Sequence, residues 1–559
     1  MVNSKNKNNM PVIIGLVVFG IILCVVLLMQ PWGGNTDAIT AEAAVTKLNS
    51  LYSALRVNKP TPKLDPDYQG DGETVDKIAV LPDISEYPFI VNPTTDHFIT
   101  VYSSAEKTDW LIYTANQFNQ SGASVDGKPV SVGIRAFKSS LGADFISSGK
   151  YTPDLYIPKS TIYGSLISAL GVEFVLTEER LAGNVAGIVI SKQKNDELTK
   201  KYGEINGKTI MESVLNDEFA LGYGNPLSSE EGFNFFLTML YEFDGNNPTG
   251  DNSVDQLRKF QDKIPFIAYE DSQLITALTG GTLDAIVIDY QAYVNSHNLK
   301  SSYEFVPIGQ RQDSPVYMIG NPSALKRQVV SRFVDFCKNA DSQKAAADRG
   351  FNNFDNYSGA VIMTGAAILQ AQEIYSREKY GSSGLTVVFV ADVSGSMEGS
   401  PLLNLRGGLN RLIGVIGSNV NVGLVTFSDS VSIDVPIAKF DSIQKSYFSY
   451  AVRSMSAGGG TAMFDAIVVA QKMLTDAKAN NPNTKLMLFV LTDGESNVGY
   501  KFKDIEKIAR GVKIPINTIG YNANITILEQ LSEINEAIAM NADSENIISR
   551  LESLFKAYS

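Results

Sequence analysis

Apolar positions along the chain change their period several times, and each change marks a unit. The first unit is Val12 to Met29, eighteen residues without a charge. As a helix rising 1.5 Å per residue it would reach ~27 Å, enough for the hydrocarbon core of a bilayer. Lys5 and Lys7 precede it and Trp32 follows it. The positive-inside rule therefore predicts a cytoplasmic tail over 1–11, a transmembrane helix over 12–30 and an extracytoplasmic remainder. A signal peptide cut after Ala38 is the competing reading, although its apolar stretch is ordinarily only about 7–15 residues long. Residues 31–95 read as a helix followed by a Pro-rich stalk. Leu48, Leu51 and Leu55 share one helical face, and Pro60, Pro62, Pro66, Pro82, Pro88 and Pro93 break any long helix after it. This stretch is expected to hold the folded part off the membrane; the alternative is that some of it packs on the next domain, with a strand over Ile78 to Leu81.

From Phe98 short apolar strands alternate with helical segments, which predicts α/β units over 96–355. Strands are expected at 98–102, 130–134, 153–157, 186–190, 219–223, 286–288 and 315–319. Several strand-to-helix turns carry hydroxyls: Ser103 and Ser104, Ser139 and Ser140, Ser160 before Thr161, and Ser228 and Ser229. Free N–H groups and the positive dipole end at a helix start make such turns an anion cradle. Plain N-capping accounts for the same residues. The ordered pieces VYSSAEKTDWL, SGKYTPDLYIP, NVAGIVIS, GYGNPLSSEEGF, ITALTGGTLDAIV and SPVYMIG, closed by FVDFCKNADSQKAAADRGF, are similar to a periplasmic-type solute-binding protein, class II-like. That resemblance implies two α/β lobes that close by a hinge on a small-molecule or anion ligand. It also makes Tyr290, just after Asp289, a candidate ligand residue, with a hinge or packing role as the alternative. It further implies a bacterial envelope setting.

Residues 356–382 read as a helical bridge whose apolar positions pack against a neighbouring domain. Beyond 383 the pattern becomes that of buried parallel strands. Leu385 to Ala391 is a near-continuous apolar run ending in Asp392, and Leu486 to Leu491 is another, ending in Thr492-Asp493. Leu402, Leu405, Leu409, Leu412 and Ile416 follow the first run at helical spacing. In an open α/β sheet ligands bind beyond the carboxyl ends of the strands, where Asp392 and Asp493 emerge. Ser394 and Ser396 sit on the loop after Asp392, and Thr461 follows three glycines. Two carboxylates and three hydroxyls form an all-oxygen donor set, which suits a hard divalent cation: Mg²⁺ first, with Ca²⁺ or Mn²⁺ as alternatives. The set Asp392-x-Ser394-x-Ser396, Thr461 and Asp493 resembles the metal-ion-dependent adhesion site of a von Willebrand factor A domain, over 383–559. The resemblance implies that the hydroxyls ligate the ion, that the aspartates act largely through water, and that a protein partner's acidic side chain fills the open position.

Composition narrows the remaining choices. The 559 residues are 44% hydrophobic and 19% charged, an ordinary globular balance. A net charge of −13 disfavours nucleic-acid binding. Two cysteines, Cys24 and Cys337, build no disulfide framework, and His97 and His297 are the only histidines. Gly203 to Thr209 is one residue short of a phosphate loop, and Ser104-x-x-Lys107 and Ser323-x-x-Lys326 lack the partner motifs of a serine acyltransferase. No catalysis is expected. The fold class is α/β: a two-lobed solute-binding-like domain plus a doubly wound, Rossmann-like A domain, preceded by one transmembrane helix. The function expected is a membrane-anchored extracytoplasmic adhesion protein that also senses or captures a solute. A tethered receptor delivering solute to a transporter, and a scaffold with a non-functional cleft, are the alternatives.

Overall fold

The computed structural model describes residues 39–68, 81–268, 270–359, 363–380, 384–417, 419–493, 496–521, 526–532, 537 and 539–542. The expected tail and transmembrane helix lie outside them. Among the described residues no helix is long and apolar enough to cross a membrane.

Three sheets organise the described residues. The first lobe holds a six-stranded sheet in the order Ser124–Val125, Lys128–Ala136, His97–Ser103, Leu155–Ile157, Val316–Ile319, Phe174–Glu178. The second lobe holds a five-stranded sheet in the order Tyr303–Arg311, Val185–Ser191, Ala285–Asp289, Leu221–Gly224, Phe266–Ala268. The chain passes between the lobes twice, after Glu178 and after Arg311. The two crossings hydrogen-bond to each other, Asn184 N–H to the Gln312 carbonyl at 3.1 Å and Gln312 N–H to the Asn184 carbonyl at 2.9 Å. The lobes also share one apolar cluster. Tyr156, Tyr163 and Ile167 of the first meet Phe233, Phe236, Leu237 and Leu240 of the second.

The third sheet has seven strands, ordered Val57–Asn58, Val431–Lys439, Asn421–Phe427, Leu385–Asp392, Lys485–Thr492, Ile516–Tyr521, Ala539–Ala542. All neighbours are parallel except Val431–Lys439 on Asn421–Phe427. Leu385–Asp392 is buried along its whole length, because helices cover both faces of a parallel sheet. Ser400–Val415 packs Leu405, Leu409 and Leu412 on one face, and Met463–Asn480 packs Ile467 and Leu474 on the other.

The stretch read as a stalk is corrected by its contacts. The helix Ala41–Ala54 buries Ala44 and Leu48, and Leu48 joins the core of the C-terminal domain with Val388, Val390, Ile467 and Ile505. Its close approach depends on Gly511, where an added Cβ would stand 2.5 Å from Ala44 Cβ. Val57–Asn58 then extends the sheet edge beside Val431 and Ser432. Asp65 is buried, accepting from Ser449 Oγ at 2.6 Å and Arg453 Nη1 at 2.9 Å. Residues 41–68 therefore belong to the C-terminal domain, and the two-lobed domain is inserted between them and strand Leu385–Asp392.

The bridge is the helix Gly365–Tyr380, and it packs against one neighbouring domain, the two-lobed one, touching both of its lobes. Gly365 lies against the Ser165 carbonyl of the first lobe. Tyr375 meets Phe236 of the second at 5.2 Å, and Glu378 pairs with Arg258 at 2.6 Å.

Candidate functional site

At the carboxyl end of the third sheet the backbone brings Asp392, Ser394, Ser396 and Asp493 into one hydrogen-bonded cluster, with Thr461 on an adjoining loop. Asp392 ends the central strand, opposite Phe427 in register, and is fully buried. The Ser394 N–H donates to Asp392 Oδ1 at 2.7 Å, and Thr492 Oγ1 donates to Oδ2. Ser394 Oγ and Ser396 Oγ lie 3.1 Å apart, and Ser396 Oγ donates to Asp493 Oδ1 at 2.8 Å. Ser394 is buried and Ser396 exposed, so the cluster opens to solvent on the Ser396 side. Burial pushes the Asp392 carboxyl up from its ordinary value. The Ser394 and Thr492 hydrogen bonds oppose that shift and the neighbouring Asp493 adds to it.

Thr461 arrives on the glycine loop, which is tied to the serine loop twice. The Gly395 N–H donates to the Gly459 carbonyl at 3.0 Å, and the Gly458 N–H to the Val393 carbonyl at 2.9 Å. Gly459 adopts φ +82°, a left-handed conformation that favours glycine, and an added Cβ would stand 2.3 Å from Asp429 Oδ2. Asp429 in turn accepts the Gly460 N–H at 2.7 Å, and Asn497 Oδ1 accepts the Thr461 N–H at 2.9 Å.

The residues present fit a hard divalent cation. Every donor is oxygen, as such an ion requires. An octahedral ion with bonds of about 2.0–2.1 Å needs neighbouring oxygens about 2.9 Å apart, and the Ser394–Ser396 and Ser396–Asp493 spacings bracket that value. Among the described residues no group of three or more His, Cys, Asp or Glu could hold a metal, so a cation at this site would need the hydroxyls among its donors. Sequence reasoning missed Thr492, Asp429 and Asn497. Thr492 adjoins Asp493 and could have been suspected, whereas Asp429 and Asn497 lie in turns without a pattern.

The cleft between the lobes is a different matter, because the chain's own charges fill it. The Ser139 N–H donates to Glu230 Oε1, and Ser139 Oγ accepts the Lys159 N–H at 3.0 Å. Ser104 Oγ donates to Glu106 Oε1 at 2.7 Å and also contacts the Lys107 ammonium. Ser103 Oγ turns to the Ser104 carbonyl at 3.1 Å. Ser229 caps its helix through the Gly232 N–H at 3.0 Å, and the Ser228 carbonyl accepts from Lys138 Nζ at 2.7 Å. Ser160 is buried at the start of Thr161–Ala169 without a side-chain cap bond, and Ser140 is half-buried. Tyr290 packs its ring edge-on against Phe305 at 5.2 Å and Phe354 at 4.8 Å.

Lys159 is the centre of this network. Its ammonium, from the first lobe, pairs with Glu231 and with Asp289 Oδ2 at 2.6 Å, both from the second. Burial alone would lower its pKa, but Asp289 and Glu231 outweigh burial and hold it well above the ordinary lysine value. Burial, reinforced by Glu106, pushes Glu230 up to about 7. Burial, reinforced by Glu231, pushes Asp271 up to about 8. In the sequence Asp289 stood out only as the neighbour of Tyr290, and Glu230 and Glu231 only as following the serine pair.

Comparison with known proteins agrees with the two-part architecture. A family model described as bacterial extracellular solute-binding protein matches residues 99–352, and one described as von Willebrand factor type A domain matches 386–556. Inter-alpha-trypsin inhibitor heavy chain H4 of Sus scrofa is 26% identical over 195 residues, 33% of this chain and 21% of that protein. The match thus spans about a fifth of that relative's length. Iron-bound HitA from Pseudomonas aeruginosa aligns at 13% identity and TM-score 0.37, covering 51% of this chain and 98% of the other. A von Willebrand factor type A structure from Catenulispora acidiphila aligns at 15% identity and TM-score 0.29, covering 32% and 43%. By the two family models, the chain carries a solute-binding-protein-like domain over 99–352 followed by a von Willebrand factor type A-like domain over 386–556.

Proposed function

We propose that this chain is an extracytoplasmic adhesion protein, tethered by its apolar segment 12–30, that grips an acidic side chain of a protein partner through a divalent cation. Asp392, Ser394, Ser396, Thr461 and Asp493 would hold the cation, with Mg²⁺ as the ion their spacing suits. When bound, that ion supplies an electrophilic position open toward solvent. The chain's own residues do the rest. Thr492 and the Ser394 N–H fix the Asp392 carboxylate, while the glycine loop, held by Asp429 and Asn497, sets the height of Thr461. The observation that carries the reading is the contact of Ser394, Ser396 and Asp493 at 2.8–3.1 Å on the solvent-facing rim of the sheet.

The test is binding of the intact chain to cell-surface or matrix proteins, with and without a chelator, alongside Asp392→Ala. Binding that needs Mg²⁺ and vanishes in the variant supports the proposal. Binding unchanged by both overturns it. For the two-lobed domain, a scaffold role is favoured over solute capture or delivery to a transporter, because the Ser104 hydroxyl and the Ser139 N–H already serve Glu106 and Glu230. In this reading the domain spaces and presents the A domain.

A further inference from the structure

The cleft of the two-lobed domain holds five carboxylates, Glu106, Glu230, Glu231, Asp271 and Asp289, against the ammonium groups of Lys107, Lys138 and Lys159. Four of the five carboxylates come from the second lobe. Glu231 stands in the first turn of Glu230–Phe243, and Asp289 ends the strand Ala285–Asp289. Both are almost fully buried, at 5% and 2% exposure. Buried carboxylates are costly unless paired, and the cation that pairs these two is supplied by the opposite lobe. Lys159 follows the strand Leu155–Ile157, and its side chain is 8% exposed. Its ammonium therefore sits where a solute would be gripped between the lobes. The groups expected to receive an anion face carboxylates instead, Ser139 facing Glu230 and Ser104 facing Glu106. At both positions the donor already serves a carboxyl group, so an oxyanion entering the cleft would find neither free.

We propose that Lys159 is the built-in ligand of this domain, and that Glu231 and Asp289 form an ammonium site in the second lobe that accepts a small primary alkylammonium ion when Lys159 is removed. The inference goes beyond the adhesion reading and does not depend on the cation site at Asp392. It turns the solute-binding architecture from an anion trap into a domain closed on itself, with selectivity for amines latent in the second lobe.

Thermal unfolding of the full chain tests it. Lys159→Ala leaves a hole the size of a propylammonium ion beside two unpaired carboxylates, so its melting temperature should fall by several degrees. Millimolar propylammonium should restore a measurable part of that loss, while sulfate, molybdate and the neutral isostere 1-propanol should not. Lys159→Met keeps the stem but drops the charge, so it should lose stability and gain nothing from propylammonium. Wild type should respond to none of these solutes. The proposal is overturned if both variants melt with the wild type, or if sulfate or molybdate restores Lys159→Ala while propylammonium does not. If Lys159→Ala does not fold, Lys159→Met decides alone: wild-type stability in that variant refutes the ammonium site. A chelator leaves all these comparisons unchanged, which separates this outcome from that of the adhesion reading.

Discussion

Leu48 is the sharpest probe of how the chain is put together. It lies more than 300 residues before Val388 and Val390 in sequence, yet shares their core and is 0% exposed. Truncation to alanine removes three carbons, at about 0.8 kcal/mol each, or ~2.4 kcal/mol of lost transfer energy. The cavity left under a helix that cannot collapse fully raises this to about 3 kcal/mol. For a unit of 150–250 residues, roughly 2–4 °C per kcal/mol converts that to a drop of roughly 6–12 °C in melting temperature. The assay is calorimetry of Leu48→Ala beside Ser50→Ala, whose side chain is exposed on the same helix. Native-state hydrogen exchange in Leu385–Asp392 locates the loss. The account predicts faster exchange in that strand for Leu48→Ala and none for Ser50→Ala. A shift below about 2 °C, or a loss confined to residues 41–54, would refute the claim that this helix is part of the C-terminal domain.

Three further outcomes follow from particular contacts. Asp65→Ala removes the acceptor of Ser449 and Arg453, so residues 57–68 should become protease-sensitive while the sheet core stays protected; equal sensitivity in both forms would contradict the docking. Gly459→Ala forces a side chain toward Asp429 at a left-handed backbone position, and should weaken divalent-cation affinity at least tenfold with little change in melting temperature. Glu230 and Asp271, raised to about 7 and about 8, keep protons in the folded chain that the unfolded chain has lost above about pH 4. Their contribution to stability is therefore greatest below about pH 4 and falls as pH rises from there toward 7 for Glu230 and 8 for Asp271, by up to about 1.4 kcal/mol per unit per group. Glu230→Gln with Asp271→Asn should flatten the pH dependence of melting, and an unchanged slope would show that these carboxyls titrate normally.

Legibility in the sequence followed how local the determinant was. The strand Leu385–Asp392 could be read because burial on both faces forces an unbroken apolar run. Its candidate metal donors could be read because Asp392, Ser394 and Ser396 lie on one loop, Asp493 follows a recognisable strand, and Thr461 stands between three glycines and a helix. The stripe Leu48, Leu51, Leu55 announced a helix but not its partner, since nothing in a helical face names the surface it covers. That is why the stretch read as a stalk. The cleft failed differently. Ser104, Ser139 and Ser229 were singled out correctly as residues at helix starts, but what they face is set by hinge geometry. Lys159, Glu231 and Asp289 lie up to 130 residues apart in sequence, so only the closed arrangement of the lobes makes them neighbours.

The central claim, a divalent-cation site at the carboxyl end of the third sheet, is tested most directly by titrating the full chain with Mn²⁺ and counting bound ions by electron paramagnetic resonance, with Mg²⁺ as competitor. The account predicts one site, displaced by Mg²⁺ and lost in both Ser394→Ala and Thr461→Ala, with the fold intact by circular dichroism. Mn²⁺ binding that persists unchanged in both variants, or no binding in the wild-type chain, would contradict it.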